Sequence, residues 1–199
     1  LFEVTGVQTC ALPISDEYSL RVSAVRGDNV TTDDIIPANA QFSALRSNIP
    51  AISEITFGRV DPGFAARCRE YGPSIIVGGE NYGQGSSREH AAIAPMYLGV
   101  KIVLAKSMAR IHKNNLINHG VLPLVFKDPR DLSKFSEGDE ITVAAPAEQL
   151  RRRSVTLLNK TTGEKAEARA ELTDREAEIL IAGGQLRMAR SRRLAGPEK

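Results

Sequence analysis

Apolar and polar positions follow one pattern up to about Asp128 and another beyond it. From Ser19, the residues Leu20, Val22 and Ala24 recur at every second position before Val25, the spacing of a strand, and Gly27-Asp28-Asn29 supplies the turn that ends it. Further on, Asp61-Pro62-Gly63 reads as a helix opening, with Asp61 as N-cap and Pro62 at the first helical position, and Gly72 is placed to close it. Ser74-Ile75-Ile76-Val77 is instead a continuous apolar run, as in a buried strand, and leads through a glycine-rich stretch into a helix predicted from about Ser86. The alternation repeats as a strand over 101–105, a helix over 108–119 stopped by Gly120, and a strand over 121–126. Strands alternating with helices imply an α/β fold with a largely parallel sheet.

Past Asp128 the texture changes to a short helix around 130–135 and strands over 140–144, 154–158 and 165–170. The last two are joined through Lys160-Thr161-Thr162-Gly163, which reads as antiparallel. Thr173 and Glu176 have the spacing of a capping box for a last helix, interrupted or ended by Gly183-Gly184. The basic stretch 187–199 reads as a fraying tail.

A chain of 199 residues, 42% hydrophobic and 25% charged, fits one soluble globular domain. Its longest apolar runs, such as 75–77 and 121–126, fall far short of the roughly 20 residues of a membrane helix. A formal net charge of +2 gives no overall field toward nucleic acid or anionic lipid, and the arginines at 151–153 and 190–193 read as solvated surface. The two cysteines, Cys10 and Cys68, form no CxxC pair, which argues against a disulfide framework or zinc ribbon and fits a reducing cytoplasm. Residues 1–15 differ in pattern from the rest of the chain, and 4–15 resemble a translated sequencing adapter. They also lack the basic flank and cleavage site of a signal peptide. The expected plan is therefore a foreign segment at 1–15, in which Cys10 is not native, a domain over 16–186 and a tail over 187–199, cut from a longer parent.

The chemistry is concentrated in residues 78–92, GGENYGQGSSREHAA. Gly83 and Gly85 allow positive φ and close backbone approach, and a following helix N-terminus invites an anion. The stretch is neither a Walker A loop, nor a complete dinucleotide fingerprint, nor a nucleophile elbow. In its plainest reading Ser86 and Glu89 form a capping box. Against that stands Arg88, whose guanidinium fork could share the anion site and help stabilise a serine alkoxide. His90, His112 and His119 form no metal motif; packing or solvent accounts for His112 and His119, and no metal is assigned to any of them.

YGQGSSREHAA, followed by LGVKIVLAKSMARIHKNNLINHGVLPLVF and preceded by TTDDI and LRSNIPAIS, resembles the C-terminal domain of aconitases over about residues 28–143. The resemblance implies a swivelling β/β/α domain with a mixed, barrel-like sheet flanked by helices, docked over other domains that hold a [4Fe-4S] cluster. By the same resemblance Ser86 is the catalytic base, and Ser87 and Arg88 hold substrate carboxylates. Arg46 is a further substrate-binding arginine, and Asp33 is an active-site aspartate, although Asp34 stands where many relatives have histidine. Three thiolates hold the family's cluster, so its ligands are expected outside this chain, in further domains or a large subunit. The implied substrate is a tricarboxylate, with no membrane or nucleic-acid partner. Two enzyme readings compete: an aconitase interconverting citrate and isocitrate, and a small subunit of an isopropylmalate or homoaconitate dehydratase. Gln84, where such small subunits commonly carry cysteine, tilts the motif evidence toward aconitase. A non-enzymatic anion-binding module is the alternative of a different class.

Overall fold

The first strand, β1 (Glu17–Val25), carries Leu20 and Val22 on the face that becomes the barrel interior. A register shift between Val22 and Ala24 then turns Ala24 outward into a second core beneath the helices. At the shift the buried Ser23 hydroxyl donates to the Ile75 carbonyl at 3.2 Å. In the computed structural model, which describes residues 13–38 and 44–195, β1 closes a barrel in the order β1-β2-β3-β4-β7-β6-β5. Strands β2 (Ser74–Gly78), β3 (Val100–Ala105) and β4 (Leu122–Phe126) continue from β1 in parallel. The remaining strands, β5 (Glu140–Ala144), β6 (Ser154–Asn159) and β7 (Lys165–Arg169), pair antiparallel and close back onto β1 and β4.

The two sequence patterns have a direct physical cause. Ile75, Val77, Ile102 and Leu104 point into the barrel, while Ile76, Val103 and Ala105 point outward under helices, so these parallel strands are apolar on both faces. In β6 and β7 buried and more exposed residues alternate, with Val155, Leu157, Ala166 and Ala168 facing inward. The outer core is covered by α1 (Thr32–Ile35), α2 (Ile49–Ser53), α3 (Phe64–Tyr71) and α4 (His90–Tyr97), with Leu116 of α5 (Arg110–Asn118) at its edge. After a 3-10 helix (Pro129–Lys134), α6 (Pro146–Arg151) and α7 (Asp174–Ile181) pack on the interior cluster through Leu150, Ile179 and Leu180.

Some details differ from expectation. Asp61 does not cap α3, whose N-cap is Gly63; its carboxylate instead pairs with Arg26 and Arg67, and burial beside them makes it a strut between β1 and α3. Of the 187–199 stretch expected to fray, residues up to 195 lie in α8 (Gln185–Ala195), where Met188 packs against the barrel cluster. The first twelve residues of the 1–15 segment, including Cys10, and residues 196–199 lie outside the described residues. In the described end of the 1–15 segment, the Ile14 amide donates to the Ile181 carbonyl at 3.2 Å. Among the described residues no helix is long and apolar enough to cross a membrane.

Candidate active site

Because β1, β2 and β3 run in parallel as neighbours, the loops that leave their carboxyl ends emerge together, the usual place for a ligand in such sheets. The segment after β1 and the glycine loop after β2 are zipped side by side. Asn29 N–H donates to the Glu80 carbonyl at 2.7 Å, Gly83 N–H to Val30 at 2.7 Å, and Thr32 N–H to Gln84 at 2.8 Å. On its other flank the loop is held by Tyr82 N–H on the Ser107 carbonyl (3.0 Å) and Ala109 N–H on the Tyr82 carbonyl (2.9 Å). The fully buried Tyr82 pins the loop between them.

Both loop glycines are required by geometry. Gly83 has φ +79°, and a Cβ there would lie 2.2 Å from the ring of His112. Gly85 has φ +125° and would meet the Thr32 hydroxyl at 2.7 Å. The loop therefore lies flat against α5 and α1, and a side chain at either position would lift it.

Thr31 begins α1 with a capping box: its hydroxyl accepts from Asp34 N–H, and the Asp34 carboxylate accepts from Thr31 N–H and Oγ1 at 2.8 and 2.7 Å. Asp34, at the position where the family pattern departs, thus has a local structural task. Its neighbour Asp33 faces the other way chemically. The Arg88 Nη1 donates to Asp33 Oδ1 at 2.6 Å and to the Ile36 carbonyl at 2.9 Å. This hydrogen bond, with a second from Ala38 N–H, holds the Asp33 carboxyl below the usual carboxylate range. The Arg88 side chain is 14% exposed against 51% for Asp33, so the guanidinium is set into the wall and the carboxylate faces solvent. Both Arg88 contacts use Nη1, leaving the Nη2 edge uncommitted to them.

Ser86 and Ser87 are exposed on the same loop, and the Ser86 carbonyl accepts from the Thr32 hydroxyl at 3.2 Å. The expected Ser86–Glu89 capping box does not form. Helix α4 starts at His90, its N-cap is Glu89 in αR conformation, and no side chain caps it. The Ser86 hydroxyl is therefore not used up as a helix cap. Arg46 lies exposed in the turn before α2, and its carbonyl meets His90 Nε2 at 2.8 Å. Asp33, Arg88, Ser86 and Ser87 are thus assembled from two zipped segments, and Arg46 is tied to the same helix start from a third.

Sequence reasoning missed Thr32 and His90 as the links among these pieces; a hydroxyl and an imidazole beside the motif residues were the only signal. His112 is a packing residue, 2% exposed, tilted against Tyr82 at 5.5 Å between centroids, and burial pushes it down to about 4. The triple-arginine run is paired, Arg151 with Glu178, Arg152 with Glu148 and Arg153 with Asp174, so it offers no bare cationic face.

The residues present do not fit an iron–sulfur cluster. Among the described residues no group of three or more His, Cys, Asp or Glu could hold a metal ion. Cys68 is buried, and burial pushes its thiol up to about 11, away from the thiolate that a cluster needs.

A family model described as the aconitase C-terminal domain matches residues 62–129. The methanogen homoaconitase small subunit of Methanocaldococcus jannaschii is 35% identical over 174 residues, covering 87% of this chain and 92% of that protein. A probable mitochondrial aconitate hydratase of Dictyostelium discoideum is 46% identical over 93 residues, which take in 47% of this chain. The chain spans 12% of that hydratase's length, and 14% of a Caenorhabditis elegans counterpart. The crystal structure of a 3-isopropylmalate dehydratase from Methanocaldococcus jannaschii superimposes with a TM-score of 0.72 at 31% identity, covering 90% of this chain and 96% of that one.

Proposed function

The chain belongs to the aconitase and isopropylmalate dehydratase family of hydro-lyases, and from that premise we propose that it is the substrate-gripping part of a dehydratase of the isopropylmalate or homoaconitate kind, working with a cluster-bearing large subunit. Likeness over nearly the whole chain, 87% of it aligned to a homoaconitase small subunit, supports this reading over the aconitase reading that the motifs alone favour. The second reading, citrate–isocitrate interconversion, keeps the support of the higher local identity, 46% over 93 residues, and of Gln84 between the loop glycines.

The observation that carries the proposal is the junction of Arg88 with Asp33 beside the exposed Ser86 and Ser87. A hydroxy-acid substrate with two or three carboxylates needs fixed cations, and guanidinium forks bind carboxylates in two-pronged geometry without risk of deprotonation. In this reading Arg88, Ser87 and Arg46 hold the carboxylates. Ser86, as alkoxide, takes the proton from the carbon next to one carboxylate and returns it in the reverse direction. An ordinary serine hydroxyl is far too weak an acid for this and needs cationic charge or N–H donors around its oxygen, a role this reading gives to the Arg88 guanidinium two residues on. Asp33 fixes Arg88 and keeps its Nη1 from swinging away. None of these groups acts on the departing hydroxyl; that half of the chemistry lies with the cluster-bearing partner.

The test is to assemble the chain with its cluster-bearing partner and follow the unsaturated intermediate by ultraviolet absorbance with 3-isopropylmalate, homocitrate and citrate offered separately. Turnover of citrate alone would give the second reading. Ser86→Ala should lower kcat by about 10²-fold or more, the usual contribution of a positioned general base, with KM changed little. Turnover that survives Ser86→Ala at the wild-type rate would sink the serine-base assignment.

A further inference from the structure

The proposed grip has two arms from distant parts of the chain, and the His90 side chain links them. Arg46 belongs to a turn anchored on both sides: Leu45 packs against the outer core, its carbonyl accepts from Asn48 N–H at 2.7 Å, and Asn48 caps α2 through Ala51 N–H at 3.1 Å. The Arg46 side chain itself is exposed. Its main chain is held from the other arm, where His90 Nε2 lies 2.8 Å from the Arg46 carbonyl oxygen, 44 residues away in sequence. A carbonyl only accepts, so Nε2 carries the proton in this contact. His90 is the first residue of α4, and its chain neighbours include Arg88 and the serines.

We infer that His90 is a positioning residue for substrate binding, which fixes the Arg46 arm relative to the Ser86–Arg88 arm through the Arg46 carbonyl. The inference rests on the reading of Arg46 as a substrate-binding arginine. A long exposed side chain reaches a given point only if its Cα is held, and a substrate that bridges two arms registers any change in the distance between them. Misplacement by about 1 Å can cost on the order of 10²-fold in such sites. His90 does not touch substrate in this scheme. Its surroundings at the α4 start also include Glu89 and His119, which lie within electrostatic reach of each other.

The experiment uses the assembled enzyme and whichever of the three hydroxy acids it turns over fastest. His90→Phe removes the donor and should raise KM about tenfold, the worth of one well-made hydrogen bond, with kcat within about twofold. His90→Gln places an amide N–H where Nε2 was and should return KM to within about threefold of wild type. On an Arg46→Ala background His90→Phe should add less than about twofold, because residues acting as one unit do not add. Equal damage from the Gln and Phe variants, full additivity with Arg46→Ala, or an unchanged KM in His90→Phe would each overturn the assignment. An Arg46→Ala enzyme with wild-type KM would end the reading of Arg46 and the inference with it. A defective Arg46→Ala enzyme beside a normal His90→Phe enzyme would overturn the role of His90 alone.

Discussion

Gly83 and Gly163 share a φ of +79°, yet a Cβ at Gly83 would enter the His112 ring at 2.2 Å while one at Gly163 meets nothing within 4 Å. The pair separates backbone strain from packing. Alanine at either position meets the left-handed penalty of about 1–2 kcal/mol. Only at Gly83 is overpacking added, typically about 1–3 kcal/mol more. Urea unfolding should therefore show Gly83→Ala to be less stable than Gly163→Ala by about 2 kcal/mol, and equal midpoints would mean that the loop yields without resistance. The ring that Gly83 accommodates also gives the fold a pH dependence. Burial depresses the His112 pKa from 6.5 in the unfolded chain to about 4 in the fold, so between those values the unfolded chain takes a proton that the fold refuses. Stability is whole above pH 6.5 and falls as the pH drops toward 4, by about 3 kcal/mol at most, since each pKa unit is worth about 1.4 kcal/mol. Replacing His112 by leucine should flatten that part of the stability curve, measured against wild type so that carboxylates titrating in the same range cancel. At this scale the sequence announced the glycine turn and left His112 to packing or solvent, but not that one makes room for the other. That fact joins a loop residue to one on the helix α5.

Two serine or threonine positions with glutamate three residues on, Ser86/Glu89 and Thr173/Glu176, carry the same local helix-start signal, and only the second forms. At 173 the threonine hydroxyl accepts from Glu176 N–H at 3.3 Å, and the glutamate accepts from Thr173 N–H at 2.7 Å. At 86 distant residues compete: the Thr32 hydroxyl takes the Ser86 carbonyl, and Arg88 reaches across to Asp33 and Ile36. Those contacts keep residues 86–88 out of the helix, and the N-cap falls at Glu89, three residues later than the capping-box signal places it. Strands buried on both faces were legible because a continuous apolar run has few other uses, and β5 was read with its observed bounds. Short elements such as α2 and α6 were not, being too brief for a helical period to show. The cap at 173 lends itself to a double-mutant cycle. Thr173→Ala and Glu176→Ala should each lower stability by about 1 kcal/mol in chemical denaturation, and the double mutant should lose clearly less than the sum. Strict additivity would show that the two side chains do not act as one cap.

Across the molecule, the two halves of the barrel were readable one at a time, parallel then antiparallel, but their closure depends on β1 meeting β5 and β4 meeting β7, pairings that no local pattern specifies. Closure matters because it makes a frame from whose parallel strand ends the segments carrying Asp33 and carrying Ser86 and Arg88 are both suspended. The same frame accounts for what the chain is expected to be unable to do alone. Its described residues bring together hydroxyls, a carboxylate and a guanidinium, which bind anions and move a proton, and include no group of three or more His, Cys, Asp or Glu that could hold a metal ion. The chain has two cysteines in all, fewer than the three thiolates of a family cluster, and Cys68 is sealed in the outer core. The isolated chain, taken through iron and sulfide reconstitution, should therefore retain no stoichiometric iron by elemental analysis and should not turn over any of the three hydroxy acids. Added to the cluster-bearing partner it should restore turnover in proportion to the amount bound, and Ser86→Ala should bind the partner equally well while restoring at most about one per cent of it. Iron held at one cluster per isolated chain, with catalysis to match, would overturn the division of labour on which the whole functional reading depends, because the Lewis acid and the base would then lie within a single small barrel.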